Sequence, residues 1–188
     1  MQIKRVFIDC ETTGLSYEKN GVIEIGGVID VDGEVVEEFS INAKPFPNQI
    51  VSKQALSVNG VEMAQLRNYP EPSEAYEELQ RILGKHIDRY NKHDKAFLYG
   101  YHIFFDAAFL RRFFENNDDQ YFASWFWWPY IDVASLYCEA SMDNRVHFEN
   151  FKLENICKWL NIDVNIHNAL SDAQATRAIY YKMLNGEI

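Results

Sequence analysis

Cysteine is scarce in this chain: Cys10, Cys138 and Cys157 are the whole complement. An odd, widely spaced set with no CxxC pair disfavours both a disulfide framework and a zinc site. A reducing, cytoplasmic compartment is the simplest expectation. Long apolar runs are also lacking. No stretch of 18 apolar residues occurs, so no transmembrane helix is expected. The opening MQIKRVFIDC runs straight into a strand-like segment without a signal-peptide pattern. Positive charge is short, with 18 Lys and Arg against 28 Asp and Glu, a net charge of −10. That balance argues against a general nucleic-acid coating protein, so any grip on nucleic acid should be local and short. Repeats, linkers and low-complexity tracts are missing, and we read one domain over residues 1–188.

What is present points to a folded core. Apolar residues make up 47% and aromatics 15% of the chain, which excludes a disordered composition. Residues 4–9 read as a strand. Residues 22–31 and the run EVVEEFSI read as two strands joined at Asp32-Gly33, a strong hairpin signal. The stretch KPFPNQIVSKQALSVNGVE reads as loop with short helical turns. After Pro70 and Pro72, Ser73 is placed to cap a helix with Ala75, Leu79, Ile82, Leu83 and Ile87 on one face. AFLYGY, residues 96–101, reads as a buried strand, and a helix is expected from about Phe105. The aromatic run WFWWPY, residues 125–130, reads as core and helix packing, with a base stack from Trp125, Trp127 or Trp128 as the alternative. Leu153, Ile156, Cys157 and Leu160 mark another helix, and the last runs from about Asn168 to Leu184. This order implies an α/β domain with helices packed on a mixed sheet.

Five residues carry the chemistry. Asp9 and Glu11 lie two apart on a strand, so they share a face while Cys10 points the other way. Two carboxylates so placed repel unless a cation lies between them. Alone, a DxE pair is most often a solvated strand face. Asp106 stands at a strand-to-helix junction, where a first-turn acid is commonly structural. His102, four residues earlier, reads first as a satisfied core histidine. His167 and Asp172 open the last helix, where Ser171 and Gln174 offer a capping box as the bland alternative. Hard oxygen ligands suit Mg²⁺ or Mn²⁺, and a histidine supplies a base near neutral pH.

The conjunction is more specific than its parts. DxETTGL near the start, FD in mid-chain and HxAxxD opening the last helix resemble the DEDDh branch of the DnaQ-like 3′–5′ exonucleases, which have a ribonuclease H-like fold. The resemblance spans residues 4 to about 184. The NGV of ALSVNGV, the IDVASL segment and KLENICKWLNI support it. It implies that Asp9, Glu11 and Asp172 hold a first Mg²⁺ or Mn²⁺ ion. Asp9 would bridge to a second, with Asp106 helping to hold it. His167 would take a proton from the attacking water. Thr12, Thr13, Gly14 and Leu15 would receive the 3′-terminal nucleotide, with Leu15 against its base. Asp132 corresponds to a recurring aspartate that is not a ligand and is left structural. One departure is GYHIFFD: many members carry Asn where this chain has His102, which leaves a substrate contact open there.

The implied activity is metal-dependent 3′–5′ hydrolysis of single-stranded nucleic acid to nucleoside 5′-monophosphates. DNA is preferred by a small margin, because relatives that trim short RNA often carry Met in place of Thr12 or Thr13. RNA 3′-end trimming is the alternative. An inactive interaction module and a dinucleotide phosphodiesterase are the remoter ones. With 16 residues after Asp172, a free-standing trimming or repair nuclease is expected rather than a polymerase subunit. A polymerase or repair partner is left open, as is monomer against homodimer. No membrane partner is expected.

Overall fold

The computed structural model describes residues 2–143, 150–165 and 167–187. Five strands form one mixed sheet: β1 (Lys4–Thr12), β2 (Val22–Val31), β3 (Glu34–Asn42), β4 (Ala96–Gly100) and β5 (Phe126–Asp132). The spatial order is β3-β2-β1-β4-β5. β2 runs antiparallel to β1 and β3, whereas β4 and β5 run parallel to β1 and to each other. The Asp32-Gly33 hairpin is as expected: both residues have positive φ, 54° and 98°, as a tight turn matched to strand twist requires.

Two helical layers cover the sheet. α3 (Pro72–Gly84) and α4 (Ile103–Asn116) belong to one core, with Val6, Ile8 and Cys10 of β1 facing Leu79, Ile82, Phe109 and Phe113. α5 (Val133–Asp143), α6 (Leu153–Trp159) and α7 (Ala169–Leu184) belong to the other, where Phe7, Val28 and Tyr99 meet Tyr137, Ile156 and Ile179. Two short helices, α1 (Lys53–Val58) and α2 (Met63–Leu66), close the end beside the β1–β2 loop. This is the mixed, helix-flanked sheet of a ribonuclease H-like exonuclease fold. The alternation on β1 decides where the site lies. Even positions fill the first core, so Asp9 and Glu11 fall on the face covered by α7.

Three expectations need correction. Ser73 does not cap α3. Glu71 does, in a reciprocal box with Glu74, and Pro72 takes the first turn, where its missing N–H costs nothing. Ile87 is buried but lies beyond the helix end at Gly84. The aromatic run is core only in part. Residues 126–130 of it lie in edge strand β5, where Pro129 is tolerated because a missing donor there breaks no ladder. Trp125 is buried, whereas Trp128 is 70% exposed. Among the described residues, no helix is long and apolar enough to cross a membrane.

Candidate active site

The site forms at the C-terminal end of β1, where parallel β4 also ends, the usual place for a ligand crevice in an open α/β sheet. Oxygens of Asp9, Glu11 and Asp172 lie within 4.8 Å of one another. Two come from one strand face and the third from the first turn of α7. Asn168 caps α7, accepting the Ser171 N–H at 3.0 Å, so the capping-box alternative with Ser171 and Gln174 is not what forms. The cap fixes where the helix starts, and therefore where Asp172 points.

Gly26 lets α7 come this close. It faces Asp9 in the β1–β2 ladder. A Cβ there would sit 2.0 Å from the Ala169 carbonyl carbon and 2.1 Å from the Leu170 nitrogen. Both are backbone atoms, which cannot swing aside. Gly26→Ala is expected to push the first turn of α7 off the sheet, carrying Asp172 and His167 with it. Overpacking of this kind costs about 1–3 kcal/mol, or roughly 2–12 °C in Tm for a domain of this size. Thermal melting and nuclease assays check it, and a variant matching wild type in both would refute the close-approach argument.

Asp106 lies in the first turn of α4 and is 3% exposed. Its Oδ1 accepts the Cys10 N–H at 3.0 Å, tying α4 to β1 between the two acids of the DxE pair. It is outside the group of three, yet it is the largest charged contributor to raising Asp9. His167 has φ 65° and donates its N–H to Asp172 Oδ2 at 3.2 Å. Its side chain is exposed on the rim of a cleft of about 340 Å³, shared with Asp9, Asp172, Tyr101, His102 and Lys152.

His102 is the clearest correction among the site residues. It is exposed rather than a core histidine, and it lines the cleft. It sits at the N-cap of α4 with φ 63°, its N–H held at 2.8 Å by Asp132 Oδ1. Asp132 also accepts from Ser135 Oγ at 2.6 Å, which gives that aspartate the structural role expected of it.

A second groove, about 460 Å³, opens beside the TTGL loop between Leu15 and α1. The loop is braced. Thr13 Oγ1 donates to the Ile50 carbonyl at 2.8 Å, and Asn59 Nδ2 donates to the Thr12 carbonyl at 3.0 Å. Thr12 Oγ1 donates to the Gly14 carbonyl at 2.8 Å. Leu15 is left 88% exposed at the tip. The NGV motif thus acts through Asn59, as a clamp on the loop.

The electrostatics of the cluster suit a cation. Burial pushes the Asp9 carboxyl well above the usual range, and Asp106, Asp172, Glu11 and Glu24 add to it. Burial, then Asp172 and Glu24, push Glu11 up to about 7. Burial raises Asp172 to about 6 against the opposing His167 N–H. Asp172 Oδ1 is buried without a hydrogen-bond partner. An acidic cluster with an orphaned hard oxygen fits a divalent cation. Glu24 was missed from sequence. It lies opposite Glu11 in the ladder and accepts from Ser40 Oγ at 2.8 Å and Asn168 Nδ2 at 3.4 Å. Its signal was the period of VIEIG, which places Glu24 on the same strand as Gly26 and on the same face.

Comparison with known proteins agrees. The exonuclease family RNase_T matches residues 6–180. A PolC-type DNA polymerase III of Oceanobacillus iheyensis is 26% identical over 180 residues, covering 95% of this chain and 11% of that protein. The DNA polymerase III subunit epsilon of Aquifex aeolicus is 25% identical over 182 residues, 95% of this chain and 79% of that protein. The chain thus spans about a tenth of the PolC-type relatives it matches. The crystal structure of E. coli Exonuclease I in complex with a dT13 oligonucleotide superposes with TM-score 0.78 at 19% identity, over 98% of this chain and 42% of that one. With its sheet order, its acidic cluster and a match over residues 6–180, the chain belongs to the RNase T/DnaQ-like family of 3′–5′ exonucleases.

Proposed function

We propose that this chain, as one domain over residues 1–188, removes nucleotides from the 3′ end of single-stranded nucleic acid, releasing nucleoside 5′-monophosphates. DNA is the preferred substrate. The observation that carries the reading is the trio Asp9, Glu11 and Asp172, oxygens within 4.8 Å, with His167 on the rim of the same cleft. Asp9, Glu11 and Asp172 would hold one Mg²⁺ or Mn²⁺ ion, and Asp9 with Asp106 a second. Such a pair, when bound, stabilises the attacking and leaving oxygens of an in-line displacement. His167 takes the proton of the attacking water, and the departing 3′-oxygen of the shortened strand is protonated from solvent. Thr12 to Leu15 hold the terminal nucleotide, with Leu15 under its base and His102 beside the cleft. Preference for DNA draws support from relatives that are DNA polymerases and from a structural neighbour solved with dT13.

The test is a side-by-side digest of matched 5′-labelled DNA and RNA oligomers, single- and double-stranded, with Mn²⁺. A ladder shrinking from the 3′ end, faster on single-stranded DNA, is expected. Faster shortening of RNA would reassign the substrate. No ladder on either, with wild type matching His167→Asn, would sink the enzyme reading.

A further inference from the structure

A third groove, outside both the carboxylate cleft and the groove beside the TTGL loop, has the chemistry of a strand-binding track. It has a volume of about 440 Å³ and lies between the loop at Tyr17 and the outer face of α4, closed by Tyr130 of β5. Arg111 is fixed within it. Its guanidinium donates to Tyr130 Oη at 3.1 Å and stands 5.7 Å from the Phe122 ring centroid. Among the described residues no carboxylate pairs with Arg111, although the neighbouring Arg112 pairs with Glu115 at 3.1 Å. In a chain of net charge −10 this leaves Arg111 as an exposed guanidinium oriented by a tyrosine instead of a carboxylate. It offers a planar fork of donors suited to phosphate. Glu18 also lines the groove, so the track suits one phosphate or two, not a long backbone.

Exposed aromatics lie in the groove and beside it. Trp128 is 70% exposed and stands edge-on to Tyr130 at 5.1 Å. Phe104, 57% exposed, projects from the first turn of α4, the turn that carries Asp106. Tyr17 lies two residues beyond Leu15 on the loop that bounds the proposed terminal-nucleotide groove. The groove and the site therefore share two elements, the loop after β1 and the first turn of α4. A fixed cation with exposed aromatics nearby is the arrangement that holds single strands, phosphate on charge and base on ring.

We propose that this groove holds the part of the substrate strand 5′ of the scissile bond, with Arg111 on a phosphate and Trp128 and Phe104 against bases. The inference rests on the exonuclease reading above. The test compares a minimal substrate, the p-nitrophenyl ester of thymidine 5′-monophosphate, with a twelve-nucleotide oligothymidylate. Arg111→Gln and Trp128→Ala are each expected to raise KM for the oligomer about five- to tenfold, in line with the worth of one stacked base. Both should leave kcat and KM for the ester within about twofold. Arg111→Gln should also flatten the slope of log KM against log salt by about 0.7, and Trp128→Phe should recover most of the loss.

An unchanged oligomer KM overturns the proposal. So does an equal rise with the ester, which would mark a general disturbance of the fold. A wild type that hydrolyses the ester yet holds the oligomer no better than a dinucleotide removes the track and leaves the exonuclease reading standing. A wild type inert on both removes the two together. Loss of self-association in Trp128→Ala, with oligomer kinetics unchanged, would assign the face to a second copy and overturn the proposal.

Discussion

Asp172→Asn is expected to lose at least about 10³-fold in rate and, without metal, to melt higher than wild type at pH 7.5. Losing a ligand removes several kcal/mol of transition-state stabilisation, and each 1.36 kcal/mol is tenfold. The stability gain follows from the charges. Burial lifts the folded Asp172 to about 6 and Glu11 to about 7, above their ordinary 3.8 and 4.5. A carboxyl raised on folding stabilises the fold fully below its unfolded pKa. That contribution is lost as pH rises through the folded value. The metal-free protein should therefore weaken between about pH 4 and pH 7.5. The shift at Asp172 is worth about 3 kcal/mol at 1.36 kcal/mol per unit. Asn stays neutral throughout and its carbonyl oxygen can still accept the His167 N–H. Mn²⁺ should raise the wild-type Tm and hardly move the variant, because only the intact cluster gains from binding. Calorimetric melts from pH 4 to 8, with and without Mn²⁺, decide it. A metal-free variant that melts clearly below wild type at pH 7.5, or a wild type indifferent to Mn²⁺, would count against a shared cation site.

Local rules made the strand acids readable, and non-local contacts hid the rest. Asp9 and Glu11 share a face because strands alternate, and α7 starts at Asn168 as its local pattern implies, although the cap is Asn168 on the Ser171 N–H and not a Ser171–Gln174 box. Both facts lie within four residues. Glu24 and Gly26 are different. Glu24 matters because β2 pairs with β1 in one particular register, and Gly26 because α7 lands on it from more than 140 residues away. Periodicity of a single strand does not encode its partner. β5 was hidden by its own composition. Phe126, Trp127 and Trp128 are aromatic on both faces, so no alternation shows, and Pro129 follows. His102 misled for another reason. Its left-handed backbone at φ 63° turns the chain as α4 begins, leaving the imidazole exposed on the cleft rather than in the core.

The second large effect falls on His167, and its backbone dictates how to test it. At φ 65° the residue lies in the left-handed region, which costs most side chains about 1–2 kcal/mol but suits Asn and Gly. His167→Ala would therefore mix backbone strain with loss of the imidazole. His167→Asn keeps the conformation and the N–H bond to Asp172, so metal affinity should stay within about threefold and Tm within about 2 °C. The rate should still fall about 10²- to 10⁴-fold, the usual worth of a positioned general base. The imidazole lies outside the trio of clustered oxygens, consistent with a group that moves a proton rather than one that binds the ion. His167→Gly adds a finer test, because it leaves the backbone unstrained and a space where the ring was. Added imidazole should restore part of its rate without changing metal affinity. A rate loss under tenfold in His167→Asn, or a loss matched by weaker metal binding, would make His167 a positioning residue for Asp172 rather than the base.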